Sequence, residues 1–292
     1  MDLTFLITNA VIVACIYGLI AVAVSITWSS LGLINLGYGF VFSFAGYGAY
    51  LVSERISEHP VLVIAAAILS GALAGILICL VVFIPLHDKQ NFTTRGMIAT
   101  LAISLIGSQS LLMYFGPRAK ALPELFGFWK VEIGGLVLTS DKIGIVVCSV
   151  IMLVGVVLWM RSSRRGLEIR AMMNPHAASI VGIGIRSTGI YVMAMTGAMA
   201  GLAAALLSQT YYVSPFGGLT PLIKGVSIAL CGGLGSVQGA VIAAIILGFT
   251  EAATSRFLGG QYVLITQFLV IISILIIRPR GISGLLDKAR EQ

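Results

Sequence analysis

Eight stretches of roughly 20 residues in this chain carry no charged side chain, and that feature restricts the fold more than any other. They run over 4–28, 31–53, 60–85, 96–115, 143–160, 189–212, 225–250 and 257–277. The hydrocarbon core of a bilayer is about 30 Å thick, and an α-helix crosses it in roughly 20 residues. Leu, Ile, Val, Ala and Gly dominate these stretches, and most lack the period-2 alternation that a membrane barrel strand requires. They are therefore read as helices. Composition points the same way: 58% of the 292 residues are hydrophobic and 10% are charged, against roughly 25% charged in soluble domains. The expected fold is an all-α polytopic membrane protein, a single transmembrane domain over 1–292, with about eight hydrophobic segments, at least one of them re-entrant or broken.

The loops between these segments set the orientation, because cytoplasmic loops collect Lys and Arg. The 161–188 loop holds Arg161, Arg164, Arg165, Arg170 and Arg186 against Glu168, and the 278–292 tail holds Arg278, Arg280, Lys288 and Arg290. Both are placed inside. The short loop with Glu54, Arg55 and Glu58 leans outward, which puts the amino terminus outside. Asp2 and the lack of a basic residue before the first apolar run argue for a retained span there, not a signal peptide. Cys15, Cys79, Cys148 and Cys231 each fall in an apolar stretch without metal-ligand spacing, so packed, reduced thiols are expected.

With the tail inside, the 225–250 segment must begin and end outside, so it is not a simple crossing. Gly232, Gly233 and Ser236 lie in its GGLGS run, a poor helix interior at about 1 kcal/mol lost per Gly relative to Ala. The expectation is a re-entrant hairpin, or two half-helices meeting near Gly232 and Gly233. Irregular backbone at membrane depth is tolerated only inside protein or beside water, so this segment belongs near the protein's axis. A second Gly-interrupted segment, LINLGYGFVFSFAGYGAY, holds Asn35 and Tyr38. Paired broken segments in two halves point to a solute pathway. In the outward 116–142 loop, Phe128 to Ile133 and Leu136 to Thr139 read as two strands about Gly134-Gly135. They would form either a surface lid or a docking platform for a soluble partner.

The apolar stretches hold no ionisable group, and Lys224, Glu251 and Arg256 fall at their ends, where snorkelling is the default explanation. His59, His87 and His176 are in loops. No HExxH, GxSxG or Walker A pattern occurs, which argues against an enzyme and against nucleotide hydrolysis by this chain. The +7 net charge resides in particular loops, so it is assigned to membrane orientation and not to nucleic acid. Small-xxx-small pairs at Gly71/Gly75, Gly197/Gly201 and Gly235/Gly239 allow close helix approach, within the chain or between subunits. Phe40, Phe44 and Tyr47 share a helix face and are read as packing groups.

The inner loop GLEIRAMMNPHAASIVGIGIRSTG has a helix written into it. Asn174 is a capping residue, Pro175 suits the first helical position, and Gly182 suits the left-handed residue beyond the end. So short a helix is unstable alone in water. It must pack on the chain's own helix ends or in a groove of a cytosolic protein.

HAASIVG places Ala177, Ala178 and Gly182 where an importer "EAA" motif has its two alanines and its glycine, with His176 replacing the acidic residue. With GLINLGYGF, ALCGGLGSVQGAVIAAIILGFTEA and IRPRGISG, the sequence resembles, over nearly its whole length, the LivH-type permeases of bacterial ABC importers for branched-chain amino acids. That resemblance implies a multi-pass inner-membrane permease for branched-chain amino acids or related amides and urea. It implies a second permease subunit, two cytosolic ATPases that bind the ATP, a periplasmic binding protein, and no cofactor or metal of its own. Arg170, Asn174, Pro175, Ala177, Ala178 and Gly182 would then form the coupling loop, and Asn35, Tyr38, Gly232, Gly233 and Ser236 would be pathway groups. A passive small-solute channel and a non-transporting membrane scaffold are the alternatives.

Overall fold

The computed structural model describes residues 2–127, 130–133, 136–173, 178, 182–279 and 281–282, the side chains of 2–5, 130–133 and 136–138 apart. Among the described residues, seven helices are long and apolar enough to cross a membrane. In chain order the helices are α1 (Asp2–Leu31), α2 (Tyr38–Arg55), α3 (Pro60–Leu86) and α4 (Phe92–Phe115). A two-stranded hairpin follows, β1 (Lys130–Ile133) and β2 (Leu136–Thr139), and then α5 (Ser140–Ser162) and α6 (Arg164–Ala171). The remainder are α7 (Ile185–Leu207), α8 (Leu219–Gly232), α9 (Val237–Phe257) and α10 (Val263–Ile277). The all-α polytopic class holds, with the expected strands as an outer addition. They pair antiparallel from Lys130↔Thr139 to Ile133↔Leu136. Phe128 and Trp129, at the start of the first expected strand, and Gly134 and Gly135 lie outside the described residues.

Burial sorts the helices into a centre and a rim. Most of α1 is enclosed (83%), and much of α7 (67%), whereas α5 and α10 are only 22% and 17% enclosed. A helix that is apolar all round belongs inside a helical membrane assembly, and α1 has that character along its length. On α3 the sides differ: Leu69, Leu73 and Leu77 are exposed while Ala67, Gly71, Gly75 and Ile78 are buried. The leucines face away from the rest of the chain.

The buried glycines of α3 meet α7 backbone to backbone. A β-carbon on Gly75 would overlap the Met193 carbonyl, one on Gly71 would overlap the Gly197 carbonyl, and one on Gly201 the Ala67 carbonyl. Lipid tails are as apolar as leucine, so helices in a bilayer associate through close packing. The first two small-xxx-small pairs are thus one internal seam. The third is internal too: Gly235 lies at a helix break against Ser29, and Gly239 is buried.

The two ends of the helix bundle, called inner and outer after the loop charges, are each tied together. Arg186 of the 161–188 loop lies 4.0 Å from Asp88 of the 86–95 loop, so these two loops share an end. At the other end Lys120 bridges Val213, and the Gln209 side chain accepts from the Leu125 N–H at 3.0 Å. Near the inner end of α3, a π turn over Cys79–Phe83 precedes Pro85, a residue that cannot supply the usual helix donor. The four cysteines are free thiols.

The 225–250 stretch is two helices, as its glycines require, but they are unequal. The 14 residues of α8 span about 21 Å, too short to cross, whereas the 21 residues of α9 span about 31 Å. A half-helix is thus followed by a full-length span, where the expectation was a re-entrant hairpin or two half-helices meeting near Gly232 and Gly233.

Candidate functional site

Two interruptions of helix, one after α1 and one after α8, converge on the last turns of α1. At the first, Gly32 (φ 65°) ends the helix. The unwound stretch is held by side chains: Thr93 donates to the Gly32 carbonyl at 3.2 Å, and the Leu36 N–H donates to Thr100 Oγ1 at 3.1 Å. Asn35 is fully buried and its Oδ1 accepts from the Gly37 N–H at 2.9 Å, an Asx turn. Tyr38 begins α2 with its hydroxyl 2.6 Å from Thr27 Oγ1, in the middle of the protein. Nothing but protein can satisfy these groups at such depth.

At the second break, Gly233 (φ 93°) and Gly235 (φ 94°) turn the chain, and Ser236 caps α9 by accepting from the Gly239 N–H at 3.0 Å. Gly232 has no room for a side chain, because a β-carbon would lie 2.5 Å from Ala240 N. The Gly235 N–H donates to Ser25 Oγ at 3.1 Å, so α1 supports this break as well. The tail completes it: the Ile282 N–H donates to the Cys231 carbonyl at 2.9 Å, one of the acceptors a helix C-terminus leaves open. Gly281 (φ 77°) sits directly beneath Gly233. That role for the RPRGISG tail is invisible in the linear sequence. The first turn of α8 meets α2, with the Gly218 N–H donating to Ser43 Oγ at 3.1 Å and the Gly218 and Gly39 backbones in contact.

Asn35, Tyr38, Gly232, Gly233 and Ser236 therefore stand at the two breaks. None of them lines either of two cavities found between α1 and the outer ends of α7 and α9 or α2 and α8. The larger cavity, about 670 Å³, is bordered by Tyr17, Asp141, Tyr211, Glu251 and Arg256. The smaller, about 450 Å³, is bordered by Tyr17, Phe42, Ser43, Tyr211 and Lys224. Phe40 and Phe44 pack on each other at 5.4 Å and Tyr47 stacks on Phe115 at 4.1 Å, as packing groups do.

The snorkelling reading of Lys224 and Glu251 is overturned. Lys224 is only 7% exposed, and its Nζ lies 2.6 Å from Glu251 Oε1, inside α8 and α9 and not at their ends. Gln267 of α10 donates to Glu251 Oε2 at 2.8 Å, and Lys224 Nζ lies 3.3 Å from the Tyr17 hydroxyl. Isolated charges would not survive in an apolar interior, so each neutralises the other.

At the inner face, Ser163 caps α6 by accepting from the Gly166 N–H at 2.9 Å, and Arg165 pairs with Glu168 at 2.9 Å. Hydrogen bonding to Glu168 holds the exposed Arg165 guanidinium above its usual pKa. Ile169 and Met172 are buried, whereas Arg164, Leu167 and Arg170 are exposed. Asn174, Pro175 and Ala177 lie outside the described residues. Ala178 is helical and 1% exposed; its carbonyl accepts from the Ile183 N–H at 3.0 Å across Gly182 (φ 77°). A left-handed glycine beneath such a bond closes a helix C-terminus. Ala178 thus packs on the chain itself, and Arg170 is the accessible one of the two.

Comparison with known proteins agrees with this architecture. The family described as "Branched-chain amino acid transport system / permease component" matches residues 6–277. The chain is 28% identical over 290 residues to the high-affinity branched-chain amino acid permease LivH of Escherichia coli K12, covering 94% of each. It is equally similar to BraD of Pseudomonas aeruginosa, and 36% identical over 112 residues to the guanosine ABC transporter permease NupP of Bacillus subtilis, 36% of this chain. PsaBC of Streptococcus pneumoniae in complex with Fab shares the fold, with a TM-score of 0.51 at 14% identity over 97% of this chain and 94% of that one. With seven candidate spans, the protein is a multi-pass component of the bacterial inner membrane. The chain belongs to the permease-component family of branched-chain amino acid transport systems.

Proposed function

We propose that this permease is the membrane subunit of an ATP-binding cassette importer, moving branched-chain amino acids or related small polar solutes by alternating access. In this reading two ATPases bind the ATP, a second permease subunit completes the pathway, and a periplasmic protein delivers the solute. The observation that carries it is the pair of interrupted helices meeting at α1 in a chain of this family. Broken helices whose backbone groups are satisfied by side chains, as at Thr93, Thr100 and Ser25, can move by exchanging those bonds without opening a helix. ATPase closure would act through the 161–188 loop at Arg170, Asn174, Pro175, Ala177, Ala178 and Gly182, of which Arg170 is exposed. Asn35, Tyr38, Gly232, Gly233 and Ser236 would be the points at which the two breaks alternate.

The test is reconstitution. Proteoliposomes holding the complete assembly and ATP accumulate L-leucine against a gradient, and proteoliposomes holding this chain alone pass none. Rapid downhill flux through the chain alone overturns the importer reading in favour of a channel. A cysteine at Arg170 should cross-link to an ATPase subunit, whereas one at Ala178 should not.

A further inference from the structure

A buried ion pair that served only to fasten helices would be enclosed by packing; Lys224–Glu251 instead separates two cavities. Glu251 borders the larger, Lys224 borders the smaller, and Tyr17 and Tyr211 border both. Volumes of about 670 and 450 Å³ lie in the roughly 300–1,000 Å³ range of small-molecule sites. Apolar side chains of similar volume often replace a buried ion pair at no loss of stability, and ionisable groups in membrane segments mark solute routes. The larger cavity is also bordered by Asp141, Lys142 and Arg256, two acids and two bases with Glu251 included. Asp141 Oδ1 is buried there without a hydrogen-bond partner.

We propose that Lys224 and Glu251 form a recognition point for a zwitterionic solute, Lys224 Nζ taking its carboxylate and Glu251 its ammonium group. Resting on the importer reading, the proposal narrows the solute class to small zwitterions such as α-amino acids. A zwitterion replaces the 2.6 Å pair by two pairs of the same sign pattern, so no charge is left unpartnered. An amide or urea has no such charges to offer and would strand both. Gln267 holds the second carboxylate oxygen and Tyr17 flanks the ammonium of Lys224, so both poles stay oriented while their mutual bond opens. Lys224 lies on α8, about 13 Å along the helix from the break at Gly233. Occupancy therefore acts on the half-helix itself.

The test measures leucine imported per ATP hydrolysed by the complete assembly in proteoliposomes. Lys224→Met with Glu251→Met lowers the leucine imported per ATP hydrolysed at least tenfold. The exchange Lys224→Glu with Glu251→Lys restores the ion pair but inverts its poles towards the cavities, and import stays low. Either double variant importing within twofold of wild type overturns the site, since a purely structural pair tolerates both changes. If neither assembles, Lys224→Arg decides: the pair survives, and the ratio of leucine to ATP must fall at least threefold, an unchanged ratio refuting the proposal. A wild-type assembly that imports acetamide or urea but no leucine refutes the site alone, and one that imports none of the three refutes the importer reading.

Discussion

Gly75→Val removes folded permease from the membrane, while Gly155→Val leaves it at the wild-type level. Both glycines lie within spanning helices, and both changes add the same isopropyl group. A β-carbon at Gly75 meets the Met193 carbonyl and carbon and the backbone of Gly197, none of which can rotate away as a side chain could; one at Gly155 meets nothing within 4 Å. Overpacking against movable side chains costs about 1–3 kcal/mol. Here α3 must separate from α7 along the Gly71, Gly75, Gly197 and Gly201 seam, so the cost is set at the top of that range or beyond. Stabilities of folded proteins are about 5–15 kcal/mol, and the seam holds the enclosed helix α7. Size-exclusion profiles of detergent-extracted protein distinguish the outcomes: at least a tenfold loss of the monodisperse peak for Gly75→Val, and less than twofold for Gly155→Val. Equal profiles would refute the backbone contact.

The same seam shows what linear sequence can and cannot carry. The glycine spacing on α3 and α7 is plainly visible, and it licenses close approach, but which helix approaches which is a matter of partners more than 100 residues apart. The break at Gly233 is legible because its cause is local: consecutive glycines weaken a helix wherever it packs. Gly182 and the outer hairpin are legible for the same reason. The Lys224–Glu251 pair is hidden by the reasoning used to find the spans. Taking a span to be an uncharged run forces every charge to its edge, so the 225–250 segment begins just after Lys224 and stops just before Glu251. A cue existed in TPLIKGVSIALCG, where helix character continues through the lysine. The unequal lengths of α8 and α9 are hidden for the same reason, since both helices continue past the charges that bound the uncharged run. At the inner loop the caps at Ser163 and Gly182 could be read locally, whereas the inward turn of Ala178 depends on what it packs against.

Gly281→Ala abolishes import, whereas Gly259→Ala leaves it within twofold of wild type. The two glycines both have positive φ, 77° and 100°, so an alanine is strained at either site, and more so at Gly259, whose ψ of 152° falls where essentially only glycine is found. They differ in surroundings. A β-carbon at Gly259 meets nothing within 4 Å, but at Gly281 it would strike the Gly233 backbone and stand 2.9 Å from the Cys231 carbonyl. Inserting it pushes the tail away from the end of α8 and removes the Ile282 N–H from that carbonyl, leaving an acceptor open where an unmade bond costs about 1–3 kcal/mol. The spans and the glycine seam are untouched, so the protein still inserts and purifies, and the loss falls on the movement of the break. Leucine uptake by the complete assembly should fall at least tenfold for Gly281→Ala with its size-exclusion profile unchanged. If both alanines transport alike, the tail is a passive end and the second break turns without it.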